Sequence, residues 1–227
     1  VSTDDSTLTS VIIRLVDQGE RNRIVTLLTA ERGRIATIAR GARGKSRRFG
    51  GHLDLFHQGK AVVSRRGRSG LATLQKFDVQ QPFEGIRQDI VKFAVASFLI
   101  ELVAHTTVDE SSDKSQYALV AQMLGELAQK PSAFARHVLL KFQLRWFYLL
   151  GLLPELTDEG LVNAQLTHIS SDSIAVAQAY FEGRLDDCEE DEHTADVGRL
   201  TRELRRRVLS RPLASESFLR QVLRTVG

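Results

Sequence analysis

The chain has 227 residues, 42% hydrophobic and 26% charged, the composition of a folded globular protein rather than a disordered or fibrous one. Its formal charge of +3 hides an asymmetry: residues 1–80 hold 15 Lys and Arg against 7 Asp and Glu, and residues 81–227 hold 16 against 21. No apolar run approaches the roughly 20 residues of a membrane span, the acidic opening VSTDDSTLTS lacks a signal-peptide core, and the single Cys188 excludes an internal disulfide framework, so a cytoplasmic protein is expected. A basic first part either meets a polyanion or is a face kept charged for solubility.

From Val11 to about Phe83 the apolar residues come in short runs separated by glycine. VIIRLVD (11–17), RIVTLLT (23–29), RIATIARG (34–41), LDLFHQGKAVVSRRG (53–67) and LATLQKFDVQQPF (71–83) read as five strands. Gly33 and GRSG (67–70) supply turns. Five strands with mixed basic and apolar faces fit a small closed barrel of the OB type, which takes oligonucleotides on its open face.

After Pro82 the period becomes helical. FEGIRQDIVKFAVASFLIELVAHTT (83–107) predicts one long helix, and SQYALVAQMLGELAQK (115–130) a second with Asp113 or Ser115 as its cap. PSAFARHVLLKFQLRWFYLLGLLP (131–154) is a third, bounded by Pro131 at its start and by Gly151 and Pro154 at its end. Helices over 170–183, 194–210 and 214–225 follow, and DDCEEDEH (186–193) reads as a solvated loop. The expected class is α+β: an OB-fold over residues 1–80 and an all-helical domain over 81–227.

The stretch ARGARGKSRRFGGH (39–52) is the densest basic feature. Gly44-Lys45-Ser46 looks like the end of a P-loop, but Ala39 stands where that motif needs its first glycine, and RRFGGH does not open a helix. A phosphate-gripping loop for a longer polyanion is the better reading. Arg40, Arg43, Lys45, Arg47 and Arg48 lie in it, with no acid from Arg32 to Leu53. Arg32 and Arg34 flank the preceding turn, and Arg65, Arg66 and Arg68 cluster at another strand end. These are the candidate contacts to nucleic-acid phosphates, with Arg14, Arg21 and Arg23 as secondary ones. Phe49 is either a platform for a stacked base or core, as are Phe56 and Phe77.

In the third helix His137, Lys141 and Arg145 fall at i, i+4 and i+8 beside Trp146, with no acid from Pro131 to Pro154. That stripe could dock an acidic, apolar-ended peptide, or it is the solvated edge of a core helix. Arg199, Arg202 and Arg206 share a face of a later helix, which the acidic run at 186–193 could screen. Six scattered histidines and one cysteine offer no metal site, and no catalytic constellation stands out.

The segments GERNRIVTLLTAERGRIATIARGARGKSRRFGGHLDLF, AVASFLIELV (94–103), FQLRWFYLLGLLPEL (142–156) and SRPLASESFL (210–219), in that order, resemble the RecO family of bacterial recombination mediators. The resemblance implies an OB-fold followed by helices and no enzymatic chemistry. It implies binding of single- and double-stranded DNA, annealing of complementary strands, and the acidic tail of single-stranded-DNA-binding protein as a partner. It further implies RecR as a partner in loading RecA, and a place in the cytoplasm at the nucleoid. Many members carry a four-cysteine zinc site after LGLLPEL; here that region holds Cys188 alone, so no metal or cofactor is expected. The rival reading from the residues is an RNA-binding OB module in translation, and an ATP-dependent enzyme resting on Gly44-Lys45-Ser46 is a third.

Overall fold

The computed structural model describes residues 3–43, 49, 53–66, 71–166, 169–185 and 191–226. Strands β1 (Thr3–Gln18), β2 (Asn22–Thr29), β3 (Gly33–Ala39), β4 (Gln58–Arg66) and β5 (Ala72–Gln81) close into a barrel in the order β1-β2-β3-β5-β4. All neighbours are antiparallel except β3 and β5, whose parallel contact completes the ring. This is the expected OB-type barrel.

Strand β1 makes closure possible because it serves two neighbours. Its first part pairs with β4, from Thr3↔Arg66 to Val11↔Gln58, and its second part with β2, from Ser10↔Thr29 to Gln18↔Asn22. A register shift between Ile12 and Arg14 bends the strand where it changes partner. The polar stretch at residues 3–10, which had no strand-like apolar run, is held in β1 by that pairing. In β3 buried and half-buried residues alternate strictly, so Ile35, Thr37 and Ala39 point inward. Leu8, Ile12, Val25, Leu27, Leu74 and Phe77 fill the same interior.

The helices are α1 (Glu84–Arg87), α2 (Ile90–Thr106), α3 (Lys114–Gln129), α4 (Ala135–Leu149, after a 3₁₀ turn at Ser132–Phe134), α5 (Asp158–Asn163), α6 (Ser171–Glu182), α7 (Glu192–Val208) and α8 (Ala214–Val226). The helix expected over 83–107 is two. Asp89 takes an extended backbone, and its carboxylate accepts from the amides of Val91 (2.9 Å) and Lys92 (3.1 Å), starting α2 afresh. Asp113 caps α3 in the same way. None of the helices among the described residues is long and apolar enough to cross a membrane.

Helix α2 is apolar almost all round, as a helix buried on every side must be. It packs on β1, α3, α4 and α8. The helical core takes in Val11, Ile13, Leu28 and Phe56 from the barrel's outer side, so barrel and helices share one apolar interior. Phe56, at a φ of 72°, sets its ring edge-on to Phe93 with centroids 5.5 Å apart, pinning the approach to β4 onto α2.

The basic stripe on α4 is a correction. It does not face solvent, because α2, α3, α6 and α7 all pack on this helix. His137 is buried with its Nδ1 2.5 Å from the Tyr180 hydroxyl. Lys141 is 5% exposed and donates to Glu126 at 2.6 Å. Arg145 donates to the carbonyl of Phe181 at 2.7 Å, and the fully buried Trp146 donates to Thr106 Oγ1 at 2.9 Å. His137, Lys141 and Trp146 are thus held inside the fold and Arg145 is half-buried against α6, so among the described residues the stripe is not an open face.

Candidate nucleic-acid interface

Strand alternation gives the barrel an outer face on β1, β2 and β3. Val25 and Leu27 point inward, so Ile24 and Thr26 point out. Across the strands Val16 pairs with Ile24 and Ile24 with Ile38; one step along, Arg14 pairs with Thr26 and Thr26 with Ala36. An aliphatic row, with Val16 37% exposed, thus lies beside the row of Arg14, Thr26 and Ala36. Exposed Arg14 borders the row on β1, exposed Arg40 follows Ile38 at the end of β3, and Arg21 stands in the β1–β2 turn. None of these three arginines makes an ion pair among the described residues.

The face runs on into a cleft of about 640 Å³ between the barrel and helices α2 and α8. Arg14, Thr26, Arg34 and Ala36 form one wall, and Ser97 and the exposed Arg211 the other. Glu101 also lines it but is spent locally: its carboxylate accepts from the amides of Ala214 (2.9 Å) and Ser215 (2.8 Å), capping α8. Burial pushes the Glu101 carboxyl up, but the Ser215 hydroxyl and amide, the Ala214 amide and nearby His105 together hold it below its ordinary value.

The other cations predicted for this surface divide in two. Several are taken by the protein's own carboxylates. Arg23 and Arg43 both reach Asp17, at 2.9 and 3.2 Å, and the Arg23 hydrogen bond leads in lowering the Asp17 pKa. Arg34 pairs with Asp109 at 2.6 Å, while Arg32 (3.6 Å) and Arg65 converge on Glu110. The Arg65 hydrogen bond is the main reason the Glu110 carboxyl lies below its ordinary range. Lys45, Arg47, Arg48 and Arg68, and the side chain of Arg66, lie outside the described residues.

Phe49 is a second correction. Its ring is 4% exposed and belongs to the barrel core, as does Phe77, so it cannot stack on a base. Of the two readings open for Phe49 and Phe77, core is the one their burial shows; the outward aliphatic row is one that sequence reasoning missed, because outward Val and Ile read as core.

A second cleft, of about 630 Å³, opens between α4, α7 and α8. Phe98, Leu139, Leu219 and Leu223 are among the residues lining it, together with Arg136, Arg202, Arg206, Arg220 and Arg224. At its base Arg205 is buried, donating to Gln143 (2.8 Å) and Glu216 (3.1 Å) over the Phe98 ring. Of the five other arginines, Arg206 reaches Glu203 at 3.9 Å and Arg220 reaches Glu216 at 3.3 Å.

One cluster has the residue types of a hydrolytic triad. Ser173 Oγ lies 3.0 Å from His193 Nδ1 and 2.8 Å from Asp196 Oδ2. Ser173 is fully buried, and the carboxylate holds the hydroxyl rather than the imidazole. The arrangement ties α6 to α7 and does not present a nucleophile.

Residues 5–83 match the family model described as "Recombination protein O N terminal", and residues 87–224 match "Recombination protein O C terminal". The chain belongs to the RecO family. It is similar to the DNA repair protein RecO of Anaeromyxobacter dehalogenans strain 2CP-C, with 39% identity over 149 residues, 66% of this chain and 58% of that one. It is also similar to the DNA repair protein RecO of Bacillus subtilis strain 168, with 32% identity over 148 residues, 64% of this chain and 56% of that one. The matched part spans less than three-fifths of these relatives' length.

Proposed function

We propose that this chain is a recombination mediator that binds single- and double-stranded DNA and anneals complementary strands. It would help RecR to load RecA onto DNA coated by single-stranded-DNA-binding protein. The observation that carries the reading is the β1–β2–β3 face, where Arg14 and Arg40, without an ion pair among the described residues, border the Val16–Ile24–Ile38 row. Arginine forks take phosphate oxygens whatever the sequence. An aliphatic row offers sugars and base faces apolar contact without hydrogen-bonding the base edges. A strand held this way keeps its Watson–Crick edges free for a complement, which is what annealing requires.

For the partner's acidic tail, the α4–α7–α8 cleft is the better candidate than the α4 stripe. Apolar side chains would take the tail's apolar end and the surrounding arginines its carboxylates. The test of the whole reading is a strand-annealing assay on bare and protein-coated oligonucleotides. The parent should anneal the strands, and the Arg14→Ala, Arg40→Ala double variant should not. Equal annealing by both proteins removes this face from the function.

A further inference from the structure

The loop between α2 and α3 crosses the barrel at the place where three of its arginines converge. Asp109 forms a bridge with Arg34, and the Glu110 amide donates to the Arg34 carbonyl at 3.0 Å. From that anchored backbone the Asp109 carboxylate reaches Arg34, and the Glu110 carboxylate reaches both Arg32 and Arg65. Glu110 holds a φ of 56°, a left-handed conformation that a residue with a long side chain adopts only when its surroundings impose it. The Arg65 guanidinium is not fully used, since its buried Nε has no hydrogen-bond partner among the described residues.

We propose that Arg32 and Arg65 form a phosphodiester subsite of the barrel in which the Glu110 carboxylate is the resident anion, displaced when a polynucleotide backbone arrives. This rests on the nucleic-acid reading above and adds a regulated contact to it. A carboxylate and a phosphate oxygen make the same demands on an arginine fork. Glu110 is part-exposed, and surface ion pairs of this kind are weak, so a polyanion can replace it at low salt. The exchange needs only rotation of the Glu110 side chain, because the Glu110–Arg34 main-chain bond can stay in place. The resident carboxylate removes this subsite from the resting surface and leaves Arg14, Arg21 and Arg40 as the first cations a strand meets.

The test is binding of a fluorescein-labelled oligothymidylate across a salt series. Glu110→Gln keeps the shape and removes the charge; Glu159→Gln, at an exposed position on α5, controls for net charge. The subsite predicts that E110Q binds roughly three- to fivefold more tightly than the parent. It also predicts a salt slope steeper by up to about 0.7, the worth of one single-strand phosphate contact, with E159Q unchanged. Removing Arg32 and Arg65 should then cost more affinity in E110Q than in the parent. Binding by the parent with no gain in E110Q, or the same gain in E159Q, overturns the subsite and leaves the wider reading standing. No binding by parent or variant removes both. Because E110Q could loosen the loop, the Arg65 Nε resonance of the parent is followed as oligonucleotide is added. A shift is expected, and an unmoved signal overturns the subsite.

Discussion

The main chain of Gly33 is pressed against the carbonyl of Ser111, so that a β-carbon on Gly33 would overlap that oxygen. Gly33 opens β3 at a φ of 64°, and Ser111 follows the two acids that engage the barrel arginines. One glycine therefore serves both the β2–β3 turn and the docking of the α2–α3 loop. Gly33→Ala should destabilise the fold by at least about 1–3 kcal/mol, from backbone strain alone. The urea midpoint reads this directly; an unchanged midpoint would mean that the loop does not sit on the turn.

Glu101 predicts a pH dependence. Its carboxyl is depressed in the folded chain, so it contributes stability above its ordinary value of 4.5, and that contribution is lost as pH falls through the lower folded value. Because it caps α8 through Ala214 and Ser215, Glu101→Gln should cost about 0.5–2 kcal/mol at neutral pH. The parent and E101Q should converge in stability below that range. Thermal melts from pH 7 to pH 3 give the comparison, and a constant difference throughout would contradict it.

Lys141 is predicted to matter for folding and not for a partner. Lys141→Ala leaves Glu126 with Lys130, at 3.2 Å, as its remaining ion-pair partner among the described residues, and removes a buried hydrogen bond. The expected loss is roughly 1–3 kcal/mol in urea denaturation, with affinity for an acidic peptide unchanged. Lost peptide binding with full stability would restore the stripe as a docking site.

Reversal of Arg202 and Arg224 to Glu tests the second cleft. Neither side chain makes an ion pair among the described residues, so reversal should leave stability nearly intact. Affinity for an acidic, apolar-ended peptide should fall roughly tenfold or more, while affinity for a bare oligonucleotide changes little. The opposite pattern would make the cleft a nucleic-acid path.

The barrel was legible in the sequence because the inward residues of β3 alternate and Gly33 marks the turn, and most helices because their apolar period survives. The α4 stripe was misread for a physical reason. His137, Lys141 and Arg145 do share a side of the helix, but spacing does not say what packs on it, and Tyr180, Glu126 and Phe181 come from distant segments. Arg32, Arg34 and Arg65 were recognisable as a basic group, whereas their acids lie 75, 78 and 45 positions away in sequence from Asp109 to Arg34, Glu110 to Arg32 and Glu110 to Arg65. The Val16–Ile24–Ile38 row was hidden because only the register of three strands places those side chains outside.

The most direct measurement is the salt dependence of single-strand binding by the Arg14→Ala, Arg40→Ala double variant. Each lost phosphate contact lowers the slope of log affinity against log salt by about 0.7, so the slope should flatten by about 1.4. A Lys60→Ala, Lys76→Ala control on β4 and β5 should keep the parent slope. A double variant with the parent's slope and affinity would contradict the assignment of the β1–β2–β3 face as the strand-binding surface.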